Sequence, residues 1–323
     1  IGVIEGKGPQ ADETIVIGAH YDHVGLGGPG SLAPGSKEVH NGADDNASGT
    51  VSLIELARRL GSRKEKPARR LVFIPFTAEE LGLIGSARYV KEPVFPIDKT
   101  VAMFNMDMVG RLRNNRLIVY GTGTAPRWKK LIQAKGKQRE FALSLKPSGF
   151  GPSDHSSFYG KKIPVLHFFT GTHSDYHRPG DDWPKVNLAG MEQLLSMLEE
   201  IIIETASDKA RPKYIEIKSQ AQVARTGSRP YDGSIPDFGS DGKRGYAISG
   251  VSPGSPAQKA GLKGGDLIVQ FGSAKIGGLD DFDLALRKYK GGDVVNVTVI
   301  RGGKRKALKI TDRKSTRLNS SHW

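Results

Sequence analysis

Short apolar runs rich in β-branched and aromatic residues alternate with helix-length segments over the first two hundred residues. Nothing else in the chain restricts its fold as strongly. The runs are TIVIGA (residues 14–19), RLVFIPF (70–76), TVAMFNM (100–106), RLIVY (116–120) and IPVLHFF (163–169). Near-continuous apolar strands of this length belong to a sheet covered on both faces. Between them, helices are expected over 47–60 and 127–134, with a turn or helix from Leu81. A last long helix should open at an Asn187 cap, with Leu188, Met191, Leu195, Leu198 and Ile202 on one face. The alternation predicts an α/β fold: a three-layer α/β/α sandwich around a largely parallel, mixed central sheet.

Composition changes after residue 206. Residues 207–234 are rich in Lys, Arg, Ser, Gly and Pro and read as a linker holding one short strand, YIEIK. Residues 235–311 show short strands, a small helix, a Gly-Gly-Asp turn and an amphipathic helix with Phe282, Leu284, Ala285 and Leu286, which suggests a small β-rich domain. Residues 312–323 contain DRKSTRLNSSH, which resembles a translated sequencing adapter and is set aside as a cloning artefact; it carries His322. Without that tail the formal charge of +14 becomes +12. No aromatic-interleaved basic stripe accompanies this charge, so it reads as a solvated surface and nucleic acid is not expected as a partner. No apolar run approaches membrane-spanning length. The chain starts at Ile1, apparently inside a strand, and reads as N-terminally truncated, so a missing leader carries no information. It has no cysteine, which leaves His, Asp and Glu as the available metal ligands.

Those residue types collect at the carboxyl ends of the predicted strands, where open α/β sheets bind ligands. His20 ends the first run within HYDH, and Glu79 and Glu80 follow the second. Asp107 follows the third, and the chain reaches His177 after the last. The loop HNGADDNASGT, bearing Asp44 and Asp45, precedes the first helix and can reach the same edge. Five candidate ligands exceed one tetrahedral site with an open position. Two divalent cations sharing one carboxylate of the Asp pair account for them all, and they relieve the repulsion between neighbouring acids.

HYDH, NGADDNASG, TAEELGLIGS, NMDM and YHRPGDD, in this order, resemble the two-zinc aminopeptidase family whose relatives include leucyl aminopeptidase, glutamate carboxypeptidase and glutaminyl cyclase. The resemblance covers residues 1–206 and implies two Zn2+ ions, or another divalent metal. Asp44 would bridge them, His20 and Asp107 would complete one site, and Glu80 and His177 the other. Glu79 would be the general base. Asp22 would hydrogen-bond the far nitrogen of His20, and Asp181 would do likewise for His177. Asp45 would stand behind the ligands, joined to Asp44 by a cis peptide bond. SDHSSF resembles a cleft-lining segment, placing Asp154 near the metals and His155 near substrate, with Tyr176 beside them.

His23 is an alternative to His20, and His173 to His177. His40 and His173 read as loop residues near the mouth, and His167 as a strand-core residue. GLGGPG fits a dinucleotide-loop pattern but contains Pro29 and opens no helix. GVSPG fits a nucleophile-elbow pattern, yet Pro253 removes the N–H that an oxyanion hole needs. Residues 235–311 resemble a bacterial-type PDZ domain, with RGYAI (Arg244, Gly245, Tyr246, Ala247 and Ile248) as the carboxylate-binding loop for a peptide C-terminus or protein tail. The expected activity is zinc-dependent hydrolysis of N-terminal peptide bonds. A carboxypeptidase and a single-zinc glutaminyl-cyclase-like acyltransferase are the alternatives, and a PDZ scaffold on an inactive peptidase is disfavoured because all candidate ligands are present. The resemblance favours an exported protein, periplasmic or extracellular.

Overall fold

The computed structural model describes every residue except 28–29, 34–35, 218–231, 237–244, 252–254, 287, 290–291 and 312–323. Two compact units divide the chain, Ile1–Ile217 and Lys218–Trp323. In the first, β1 (Gly2–Ile4), β2 (Thr14–His20), α1 (Gly49–Gly61), β3 (Arg70–Phe76), α2 (Ile84–Lys91), β4 (Thr100–Met106) and β5 (Arg116–Tyr120) follow in order. Then come α3 (Trp128–Lys137), β6 (Ala142–Leu145), α4 (His155–Tyr159), β7 (Val165–Phe169) and α5 (Leu188–Ser207). The sheet runs β1-β3-β2-β4-β7-β5-β6. Strands β3, β2, β4 and β7 are mutually parallel, while β1 and the β5–β7 pairing are antiparallel. The sheet is therefore mixed, as its sequence pattern predicts.

Alternation along each strand builds the two outer layers. Ile15 and Ile17 join the α1, α3 and α5 side of the core through Leu53, Leu56, Ile132, Leu198 and Ile202. Val16, Val72, Ile74 and Met103 face the other side with Tyr89, Phe158 and Tyr159. The Asn187 cap is present, its Oδ1 accepting from the Gly190 N–H at 2.9 Å. Leu188 departs from the expected apolar face: it is 69 % exposed, because the first residue of α5 stands beyond the turn that reaches the sheet.

Because β2 neighbours both β3 and β4 while the chain visits β3 first, a crevice opens at the carboxyl end of β2. The opposite end is fixed by Arg69. Its side chain is fully buried, with Nε donating to Glu13 Oε2 at 2.6 Å. Nη1 donates to the carbonyls of Thr205 and Asp208 at 2.8 and 2.6 Å. These carbonyls at the end of α5 lack intrahelical partners. Arg69→Met should therefore cost about 3 kcal/mol in urea denaturation; a loss below about 1 kcal/mol would contradict this anchoring.

The first unit extends past residue 206. Ile215 N–H donates to the Thr124 carbonyl at 2.9 Å, and Ile217 N–H to Tyr159 Oη at 2.8 Å. The strand expected over YIEIK does not form in its described residues 214–217, which are held by these isolated bonds rather than by a ladder. The short β6 and α4 were not legible in the sequence pattern.

The second unit contains β8 (Ser234–Pro236), β9 (Tyr246–Val251), α6 (Pro256–Lys259), β10 (Leu267–Phe271), β11 (Ala274–Lys275), α7 (Leu279–Leu286), β12 (Val294–Arg301) and β13 (Lys304–Thr311). Its sheet runs β13-β12-β10-β9-β8, with β11 beside β10. Phe282, Ala285 and Leu286 are buried as expected; the side chain of Leu284 lies outside the described residues. Part of the stretch expected as a carboxylate loop, residues 244–248, is strand. Arg244 lies outside the described residues, and Tyr246, Ala247 and Ile248 belong to β9, an inner strand. Gly245 and Ile248 already donate their N–H groups to the carbonyls of Gly277 and Asp266, and Tyr246 and Ile248 are core residues. Strand β8 instead forms the sheet edge. Among the described residues, no helix is long and apolar enough to cross a membrane.

Candidate metal centre

His20 closes β2, and its ring is aimed by its own loop. Nδ1 stands 3.1 Å from the Asp22 backbone carbonyl. The carboxylate of Asp22, expected to hold this ring, lies farther away at 3.7 Å. It instead accepts the N–H groups of Glu79 and Glu80, at 3.1 and 3.2 Å. Asp22 thereby ties the acidic pair after β3 to the end of β2. The Nε2 atom of His20 then faces Asp45 Oδ1 at 3.3 Å and Asp107 Oδ1 at 3.4 Å.

The shared carboxylate is Asp45 and not Asp44. Its Oδ1 faces His20, and its Oδ2 lies 3.1 Å from His177 Nε2. One residue thus presents one oxygen to each of two groups: His20, Asp45 and Asp107 on one side, and His23, Asp45, Glu80 and His177 on the other. Within each group one ligand-capable atom per residue lies within 4.8 Å of the rest. Asp44 turns the other way. Its Oδ1 accepts the Gly110 N–H at 2.6 Å and the Ser48 hydroxyl at 3.0 Å, and its Oδ2 meets His173 Nε2 at 3.1 Å. Asp44 is committed to joining the loop to the segment after β4, so it cannot also bridge cations. The cis peptide bond accordingly falls one residue later than expected, at Asp45–Asn46.

Asp181 also acts elsewhere than expected. It does not support His177, whose Nδ1 faces the Gly30 carbonyl at 2.6 Å. Fully buried, Asp181 accepts the N–H groups of Asp44 and Asp45 through Oδ2, at 2.9 and 3.0 Å. Arg111 donates to its Oδ1 at 2.9 Å. Asn46 completes the frame, accepting from Gly49 N–H and Met108 N–H and donating to the Met106 carbonyl. Tyr176 stacks on His177 with ring centroids 3.9 Å apart.

The donor set fits divalent cations. His177 Nε2 stands 3.1 Å from oxygens of both Asp45 and Glu80, yet forms a hydrogen bond with neither. Atoms that are close but not aimed at one another suit a common centre between them. Charge points the same way. Burial pushes Glu79 well above the usual carboxylate range; His20 opposes this, and Asp107, Asp154 and Glu80 add to it. Burial alone would lower His177, but Asp45 and Glu80 beside it push it up to about 11. So many acids in one pocket need positive charge to stay ionised together.

Asp154 and His155 are fully buried rather than lining an open cleft, and no polar atom of either side chain has a hydrogen-bond partner. Burial raises Asp154 to about 7 and lowers His155 well below its ordinary value. His155 stacks on His167 at 4.3 Å, so the strand-core reading of His167 holds. His40 is buried against Ser31 Oγ at 2.7 Å rather than open at the mouth. Two members of the metal groups, Asp45 and His23, stand outside the ligand set expected from the sequence; for His23 its place in HYDH, three residues after His20, was the available signal.

A mixed α/β/α sandwich with paired acid and imidazole groups at its strand ends, joined to a small β-rich unit, defines a chain built around a candidate two-metal centre. The model of Peptidase family M28 matches residues 1–202, and the chain belongs to that family. The PDZ domain model matches residues 227–311, so the second unit is a C-terminal PDZ domain. Aminopeptidase YwaD of Bacillus subtilis is 28 % identical over 236 residues, covering 69 % of this chain and 48 % of that protein. The crystal structure of BSAP, a zinc aminopeptidase from Bacillus subtilis, superposes with a TM-score of 0.53 at 28 % identity, covering 67 % of this chain and 52 % of that one. Porphyromonas gingivalis glutaminyl cyclase shares the fold, with a TM-score of 0.51 at 20 % identity over 61 % of this chain and 74 % of that one. The chain spans about half the length of the curated aminopeptidase it matches.

Proposed function

We propose that this chain is a zinc-dependent aminopeptidase. The observation that carries the reading is Asp45, whose two oxygens each face a separate ligand group. His20, Asp45 and Asp107 would hold one cation, and Asp45, Glu80 and His177 the other. Such a pair, when bound, polarises a carbonyl and makes water acidic. Glu79 precedes Glu80 after β3, has its N–H fixed by Asp22, and has a buried carboxyl that feels the charges of His20 and Asp107, which supports the role of taking a proton from water and returning it to the leaving amine. Burial favours the protonated form of this carboxyl, which suits a group that holds a proton between the two steps. The Tyr176 hydroxyl, pushed well above its ordinary value by burial and by the acids around it, stays protonated and can donate to an oxygen gaining negative charge.

Peptides are the substrate class that family membership supports, and the PDZ domain supports a second peptide contact, with a C-terminus or protein tail as its ligand. Export from the cytoplasm is part of this reading and rests on the family resemblance. The test combines zinc analysis with a panel of amino-acyl and N-acetylated peptides. Two zincs per chain and cleavage restricted to free N-termini are expected. Efficient cleavage of blocked peptides with a free C-terminus would turn the assignment to a carboxypeptidase. One zinc with cyclisation of N-terminal glutamine would turn it to acyl transfer.

A further inference from the structure

We infer that His23 is a fourth protein ligand of the Glu80–His177 cation, so that the two metal positions are unequal. This rests on the two-metal reading above. The Nδ1 atom of His23 lies 2.9 Å from Glu80 Oε1 and 3.9 Å from Asp45 Oδ2. His177 Nε2 lies 3.1 Å from Glu80 Oε2 and from that same Asp45 oxygen. Ligand atoms about 2.0–2.1 Å from a tetrahedral zinc stand roughly 3.4 Å apart, and these separations bracket that value. The two imidazoles meet edge to face, with centroids 5.5 Å apart at 83°. Nδ1 of His23 is in hydrogen-bond contact with Glu80 Oε1, a fellow member of the group. Its Nε2 is buried without a hydrogen-bond partner, so no described residue outside the group holds the ring by its nitrogens.

The backbone is shaped to admit this ring. Gly42 adopts φ +61°, and a Cβ there would come within 2.7 Å of His23 Cγ and Cδ2. Only glycine combines that conformation with that approach. The loop that delivers Asp45 therefore also leaves room for His23.

Four protein ligands make a closed site of structural character, whereas His20, Asp45 and Asp107 leave a position open. One cation should be held firmly and the other exchangeably. The open one is then the position at which a substrate group can enter.

The deciding measurement is a crystal structure of the zinc-loaded chain, with anomalous data to place the metals, alongside chelator titrations of the native protein, His23→Ala and His23→Gln. The expected Nδ1–metal distance for His23 is about 2.0–2.1 Å. Native protein should release its two zincs in separate steps at least about tenfold apart, and both variants should bring the tighter step down by about tenfold or more. His23→Gln can still donate to Glu80, so a merely supporting hydrogen bond would leave that variant close to native. A His23 nitrogen more than about 3 Å from either metal, or a native-like titration for His23→Gln, overturns the inference while two bound zincs keep the two-metal reading intact. A chain that binds no zinc overturns both. Circular dichroism and melting of the metal-free proteins separate misfolding from lost coordination, and the native structure decides the matter without any variant.

Discussion

Asp45→Ala should empty both metal positions, while Asp44→Asn should keep two zincs per chain. Asp45 is the residue common to the two ligand groups, so its removal takes an oxygen from each and leaves the remaining carboxylates facing one another. The expected loss of zinc affinity is at least about 100-fold at both positions, above the range typical of residues that only support ligands. Asp44→Asn keeps an oxygen to accept the Gly110 N–H and the Ser48 hydroxyl, and loses mainly the charge that faces His173. It should stay within the roughly 10- to 100-fold range of a supporting residue. Metal content after dialysis, followed by chelator competition, reads both. Zinc lost from Asp44→Asn and retained by Asp45→Ala would reverse the assignment.

Glu79→Gln should bind both zincs and lose about 10²- to 10⁴-fold in kcat. Glutamine preserves the shape and the backbone contact to Asp22, and removes only the ability to take up a proton. The side chain belongs to neither ligand group, so the metal content should not move. Lost zinc would make Glu79 a ligand, and native turnover would remove it from proton transfer.

The two variants probe different kinds of information in the chain. That Glu79 and Glu80 follow a buried strand was visible in the order of apolar and acidic residues. Which Asp of an adjacent pair points into the crevice was not. Asp44 and Asp45 are identical in type and differ only in the direction the backbone gives them, and both backbone N–H groups are held by Asp181. The same limit applies to Asp181, expected beside His177 from its place in YHRPGDD but reaching the Asp pair instead. In the PDZ domain, RGYAI resembles a carboxylate-binding loop, yet Tyr246, Ala247 and Ile248 lie on β9.

Sequence alone determined the three-layer architecture, the site at the carboxyl edge, and the membership of His20, Glu80, Asp107 and His177. The architecture and the strand-end places of His20, Glu80 and Asp107 follow from apolar periodicity, whereas the choice of Glu80 over Glu79 and of His177 over His173 follows from the family resemblance of their motifs. The tertiary structure decided that Asp45 is shared, that His23 joins the second group, and that Asp22 and Asp181 hold backbone amides. Those outcomes depend on where a carboxylate or ring points once distant segments close on it. Directions of that kind are set by hydrogen bonds across gaps as long as 137 residues, which no local pattern encodes.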